Sequence, residues 1–388
     1  MSETGKEAAM TEKSQNTIVS SWNEWDPLKH VIVGRAEGGM LQAPEPAIYR
    51  DFSKDGFPHG TWGPMPEDMV AKAVEQLEYF VDILVKRGIR VDRPQPLDFS
   101  QTVQTPDWKQ ESMIGCMPPR DVLLTVGNEI LEATMSHRSR WFEYLCYRPV
   151  LERYYADDPN FRWEAAPKPR LTERTYKKDW HKIWNQLSDE ERWEKAEASE
   201  WIITEVEPLF DAADIVRFGK DLFVQYSMVT NDAGIRWLRS HFPDHRVHKV
   251  RYKELQPWHM DSTLVPIRPG LVVCNPARTT LTPKVLELLE KNDWEIIWAP
   301  KSVLKEKRPL CYCSIWLNMN FLVLDPNTVC VEASETPMIE ALENHGIEVI
   351  PVPFYDVVMF GGCMHCATAD VYREGALEDY FPNQIEGF

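Results

Sequence analysis

The chain has 388 residues, 43% of them hydrophobic, and carries 60 Asp and Glu against 43 Lys and Arg, a formal net charge of −17. That balance argues against a nucleic-acid partner, which needs cations to neutralise phosphates, and against an anionic membrane surface. No apolar run approaches the roughly 20 residues of a membrane span, and the opening "MSETGKEAAMTEKSQ" has no apolar leader-like core. The expectation is a cytoplasmic protein with its eight cysteines reduced.

Residues 1–16 read as a disordered tail and 17–388 as one domain. The strand-like "HVIVGR" comes first. The helical pattern "MVAKAVEQLEYFVDILVKRGIRV" follows, with Val70, Val74, Leu77, Val81 and Leu84 at helical spacing and Gly88 as its stop. "DVLLTVGNEIL" is the next strand-like stretch. From about 151 to 201 the chain turns charged and tryptophan-rich, which predicts a helical insertion, packed by its tryptophans or serving as a lid or dimer contact.

Beyond it, "LFVQYSMVTN" leads to a helix for which Asn231 is the expected N-cap. "LVVCNP" leads to a helix with Asn292 at its stop, then the strand "EIIW". "FLVLDPNTVCVEA" leads to a helix capped by Thr336, with Pro337 in its first turn and Gly346 at its end. Strand, turn, helix, strand, repeated about five times, predicts a ring of ββαβ units rather than an open doubly wound sheet. No G-x-G-x-x-G or Walker pattern occurs, so no nucleotide cofactor is expected.

Five short stretches carry possible chemistry. "FGGCMHCATAD" holds Cys363 and Cys366 behind two glycines. A closed zinc site needs four ligands, and neither a second C-x-x-C nor a paired histidine motif is present; Cys311 and Cys313 are far off in sequence. A redox pair would open a helix early in a βαβ unit. The residues alone leave a single nucleophile and a structural loop as equal readings, with the metal clip and the redox pair behind them. In "QPWHMDST", His259 and Asp261 alternate, as on one face of an edge strand. "FDAADIVRFGKD" places Asp211 and Asp214 around two alanines, "MPPRD" sets Arg120 beside Asp121, and "NPARTT" puts Arg278 after a strand.

In this order, "FDAAD", H-x-D-x-T, NP-x-R and GG-x-x-HC resemble the arginine amidinotransferases of the pentein superfamily. The resemblance runs from "SSWNEWDPLKHVIVG" to "CATADVYREG" and is dense in "PRDVLLTVGNEILEATMSHRSRWFEY". It implies an α/β fold: a five-bladed, pseudo-fivefold propeller of ββαβ units with the active site in its central channel and no metal or cofactor. Cys366 would attack the guanidinium carbon of L-arginine, ornithine would leave, and an amine acceptor would take the amidino group. His259 would act as acid and then base, oriented by Asp214. Asp121 and Asp261 would hold the guanidinium, and Arg278 the α-carboxylate.

Cys313 and Ser314 stand where the family has a serine pair, so Cys313 is a departure. Trp258 and Gln256 occupy acceptor-shaping positions and differ from the glycine-using relatives. They point to an acceptor other than glycine, in the toxin-pathway group, such as the amino-ketone of a saxitoxin-like route. Analogy also makes a homodimer one candidate assembly. Two rivals remain at this level. One is a deiminase-like hydrolase that uses water as acceptor and gives citrulline. The other is a metal- or redox-linked binding protein using Cys363 and Cys366.

Overall fold

The computed structural model describes residues 17–47, 61–306, 310–311 and 313–388; the expected tail, 1–16, lies outside these. Among the described residues are five three-stranded sheets that share one pattern. The middle strand runs antiparallel to the first strand and parallel to the third.

One sheet joins the two ends of the chain: Leu28–Val33 pairs antiparallel with Thr368–Arg373 and parallel with Arg90–Asp92. The next contains Leu123–Val126, Glu129–Glu132 and Arg162–Ala165. Ile215–Phe218, Asp221–Gln225 and Arg246–Val250 form another. The remaining two are Leu264–Arg268 with Leu271–Cys274 and Glu295–Trp298, and Leu322–Asp325 with Thr328–Glu332 and Glu348–Val352.

The antiparallel pair can close through a tight turn, whereas the parallel pair needs a crossover. A helix supplies it in each sheet: Glu67–Lys86, Arg148–Asp157, Asp232–His241, Lys284–Lys291 and Thr336–Glu343. Two of the hairpin turns require glycine. Gly127 and Gly219 sit at φ of +60° and +61°, where a Cβ would meet the Trp22 ring or the Glu378 carbonyl.

Helix ends follow the expectation in part. Asn231 accepts from the Gly234 N–H at 2.8 Å. The left-handed residue after Lys284–Lys291 is Asp293, next to the expected Asn292. Thr336 lies inside its helix rather than capping it. The preceding Glu335 makes no cap bond because its carboxylate accepts from Ser302 and the Val303 N–H.

The insertion begins later than 151. Leu151 belongs to the crossover helix, and Arg162–Ala165 is the third strand of its sheet. This strand is an exposed-to-half-buried edge and lacks the apolar run that marks the others. The inserted helices are Trp180–Gln186 and Asp189–Glu197, the latter opened by a Ser188–Glu191 capping box. Trp180, Trp184 and Trp201 are buried together with Trp108 and Tyr176, which is how so charged a segment obtains a core of its own.

A buried ion network ties the first strands to the N-terminal segment. Arg217, 1% exposed, bonds Glu24 at 2.7 and 2.8 Å and also pairs with Asp370. Arg120 and Arg373 reach Asp370 at 2.9 and 2.8 Å. Burial opposes the charge on Glu24, yet Arg217 holds that carboxyl well below the usual range. Removing one member strands the others without compensation. Arg217→Met is therefore expected to cost about 3–5 kcal/mol in urea unfolding; a cost below about 1 kcal/mol would count against the network as a structural keystone.

Candidate active site

Each sheet delivers a residue to one place, just before its first strand. Asp121 precedes Leu123–Val126, Asp211 and Asp214 precede Ile215–Phe218, and Asp261 precedes Leu264–Arg268. Asn320 precedes Leu322–Asp325, and Cys366 precedes Thr368–Arg373. Most lie in or beside short helical turns, namely Pro119–Val122, Ala212–Asp214, Met260–Ser262 and Leu317–Met319. His259 and Asp261 are therefore not on an edge strand. His259 sits at φ +61° and opens the turn that carries Asp261.

Of these, Asp121, His259, Asp261, Asn320 and Cys366, together with Arg278, line a cavity of about 1030 Å³, and Asp211 and Asp214 lie behind its wall. Cys366 is 4% exposed. Its thiol donates to Asp261 Oδ2 at 3.1 Å and accepts from Asn320 Nδ2 at 3.1 Å. The Asn320 side-chain Oδ1 in turn accepts from the backbone N–H groups of Cys363 and Cys366, both at 3.1 Å, fixing the loop. Gly362 is at φ +147°, and a Cβ there would stand 2.5 Å from the Cys366 sulfur. The glycine is what lets the thiol face the cavity.

Burial first, then the Asp261 and Asp121 charges, push the Cys366 thiol well above its ordinary pKa. Both effects favour the thiol over the thiolate. Asp261 behaves oppositely: burial opposes its charge, but a 2.9 Å bond from His365 Nδ1 brings it down to about 2.

His259 Nε2 donates to Asp211 Oδ2 at 3.1 Å, while Nδ1 faces Asp121 Oδ1 at 3.4 Å. Burial disfavours the imidazolium, but Asp121, Asp211 and Asp214 outweigh it and raise its pKa to about 9. At neutral pH His259 carries a proton it can give.

Asp214, which the resemblance implies would orient His259, is not the carboxylate bonded to it. Its Oδ2 accepts from Ser227 and Thr230, each at 2.6 Å, and burial pushes its pKa up to about 7. The first acid of "FDAAD", Asp211, takes the partner's position because the 3-10 turn starting at Ala212 swings the two carboxylates apart.

Arg140 bonds Asp121 at 2.9 Å and Glu143 at 2.8 Å, so the free oxygen of Asp121 is Oδ1, which has no hydrogen-bond partner. Arg278 is 2% exposed. Its Nη1 donates to the His259 carbonyl at 3.0 Å and to Ser262. Its Nε and Nη2 have no hydrogen-bond partner, with Glu254 3.7 Å from Nε. Cys313 and Ser314 line the same cavity, and the Cys313 thiol donates to the Val358 carbonyl at 3.0 Å.

Gln256 and Trp258 line it too. Trp258 lies flat on His137, centroids 5.1 Å apart and planes 10° apart, and stands edge-on to His259 at 5.6 Å. Trp184, Asn185 and Arg192 bring the insertion to the cavity wall. Asn320, Arg140 and His365 are not singled out by the sequence, and Asp211 is singled out there without being given His259 as its partner. For Asn320 the signal was there: like Asp121 and Cys366, it sits two residues before a first strand.

No protein-family model matches the chain. It is 40% identical to the mitochondrial glycine amidinotransferase of Gallus gallus over 375 residues, 94% of this chain and 85% of the relative. It is 37% identical to the L-arginine:L-lysine amidinotransferase of Pseudomonas savastanoi pv. phaseolicola, covering 94% of this chain and 97% of the relative. Among solved structures, the saxitoxin-pathway amidinotransferase SxtG of Microseira wollei superimposes with a TM-score of 0.81 at 40% identity, over 94% of this chain and 99% of that one. The inosamine-phosphate amidinotransferase of Streptomyces griseus gives 0.80 at 36% identity, with coverage of 94% and 99%. A dimethylarginine dimethylaminohydrolase, at 16% identity, 88% and 99% coverage and a TM-score of 0.52, shares the α/β fold alone. The chain belongs to the glycine/arginine amidinotransferase family and is an amidino-transferring enzyme.

Proposed function

We propose that the protein moves the amidino group of L-arginine to an amine other than glycine through a covalent adduct on Cys366, releasing L-ornithine. The observation that carries this reading is a buried thiol between two carboxylates, with a protonated histidine lining the same cavity. A guanidinium seated between Asp121 and Asp261 offsets their charge and favours the thiolate, the nucleophilic form, the thiol proton passing to solvent as the cation enters. The sulfur then bonds to the guanidinium carbon, and the C–N bond to ornithine breaks. His259 gives its proton to the departing amine. Now neutral, it takes a proton from the incoming ammonium, whose nitrogen attacks the amidino carbon and expels the thiolate. A positioned acid and base of this kind contributes about 10²–10⁴-fold. Arg278 offers two N–H groups for the arginine carboxylate. Asp211 positions His259, and Asp214 adds charge at a distance.

The same reading sets the five sheets around one axis as a propeller, since each contributes its site residue from the equivalent loop. The likeness to the saxitoxin-pathway enzyme supports a role in a toxin-like secondary pathway. Ornithine release from arginine with a panel of amines tests the reading; citrulline formed from arginine alone, with no amine needed, would favour the hydrolytic alternative.

Trp258 forms an apolar wall beside His259, and its stack on His137 keeps it there. Trp258→Met is expected to change the ranking of amine acceptors by kcat/KM about 10-fold or more, the scale of reshaping an apolar pocket by a few methylenes. Release of ornithine in a single turnover should stay within a few-fold. An unchanged acceptor ranking would remove Trp258 from that role.

A further inference from the structure

Among the described residues, one group of His, Cys, Asp or Glu side chains brings three ligand atoms within 4.8 Å of one another: Asp121, His259 and Cys366, all buried. We infer that these three form an inhibitory site for one thiophilic divalent cation of the zinc class, held in the cavity where the guanidinium would sit. The inference that a metal binds stands on geometry alone; that it competes with arginine rests on the function proposed above.

The donor set is one oxygen, one nitrogen and one sulfur, which suits zinc with a fourth position left open to solvent. Zinc–nitrogen and zinc–oxygen bonds of about 2.0–2.2 Å subtend a tetrahedral edge of roughly 3.3–3.5 Å. The Asp121 Oδ1 to His259 Nδ1 separation is 3.4 Å, already that edge. The Cys366 sulfur, within 4.8 Å of both atoms, closes the remaining distance by giving up its bond to Asp261.

The surroundings of the ligands are also in place. Metal-bound histidines usually donate their second N–H to a carboxylate. His259 Nε2 does so, to Asp211 at 3.1 Å, leaving Nδ1 toward the cluster. Asp121 is held through Oδ2 by Arg140 at 2.9 Å, leaving the buried Oδ1 without a hydrogen-bond partner. Coordination releases two protons to solvent, one from the Cys366 thiol and one from His259 Nδ1, so that Asp121 and Cys366 together neutralise a divalent ion and His259 ligates as the neutral imidazole. A pocket built for a flat monocation thus has the charge and ligand spacing for a compact dication.

Cobalt(II) titration of the full-length protein, followed by absorption, tests this without reference to turnover. The expected result is one cobalt per chain with a near-ultraviolet thiolate-to-cobalt charge-transfer band. Cys366→Ser should abolish the band and Cys363→Ser should keep it. Asp211→Asn should weaken cobalt binding by about 10–100-fold through its hold on His259. Thermal unfolding of each variant without metal shows whether it is folded. Absence of the band in the folded wild-type protein, or its persistence in Cys366→Ser, would overturn the site. Arginine should displace the bound cobalt and, in turnover assays, relieve zinc inhibition. Failure of arginine to displace a cobalt whose band depends on Cys366 would contradict the donor reading and leave the metal site standing.

Discussion

Cys366→Ala is expected to lower ornithine release from arginine by about 10⁴–10⁶-fold, the scale seen when a nucleophile is removed from a working constellation. Cys363→Ala should retain most of the activity. Both thiols are buried and both line the cavity, so burial does not separate them. Their partners do. Cys366 reaches Asp261 and Asn320 with its sulfur, while Cys363 joins the network through its backbone N–H to Asn320. Equal loss in both variants would mean that the pair, rather than one sulfur, does the chemistry. The readout is ornithine in a single turnover, where acceptor binding plays no part.

The second large effect is expected at Asp211. Asp211→Asn keeps the shape beside His259 but removes the charge, and replaces the carboxylate that accepts from Nε2 at 3.1 Å by an amide whose oxygen accepts more weakly and whose NH2 cannot accept at all. Loss of a carboxylate that orients a catalytic histidine reduces turnover by about 10³–10⁴-fold. Asp211 acts through His259, so its signature is a moved pH profile. His259 is raised to about 9 by Asp121, Asp211 and Asp214 acting against burial. The acid it supplies is present below that pH and is lost as pH rises through it. Removing the Asp211 charge destabilises the imidazolium and lowers this pKa. The falling limb of the first half-reaction should therefore move to lower pH in Asp211→Asn. Asp214→Asn, whose carboxylate is bonded to Ser227 and Thr230, should move the limb less. A larger shift from Asp214 than from Asp211 would restore the sequence-based assignment.

Much of this arrangement is legible in the sequence, and the failures have causes. Repeated strand, helix and strand segments mark the five sheets because the middle strands, such as "LVVC" and "TVCVE", are buried throughout. The insertion boundary was missed because Arg162–Ala165 is an edge strand with a mixed face. Asp211 and Asp214 cannot be told apart by spacing: Asp211 is the extended residue before the 3-10 turn and meets His259, while Asp214, the last residue of the turn, is taken up by Ser227 and Thr230. Arg140 carries no motif of its own, and Asn320 only its place two residues before a first strand. Arg140 matters through a buried pairing with Asp121 and Glu143. Asn320 matters because it bridges two backbone N–H groups and a sulfur from a loop more than forty residues away in sequence. Such long-range convergence is set by the packing of the sheets, which local pattern does not record.

The protein mixed with L-arginine and no amine, then digested and weighed peptide by peptide, provides the most direct trial of the mechanism. The account requires one amidino group on the sulfur of the Cys366 peptide, matched by one ornithine per chain, and its disappearance when an amine is added. Ornithine produced over many turnovers with the Cys366 peptide never modified, or an amidino group found on Cys363 instead, would contradict it.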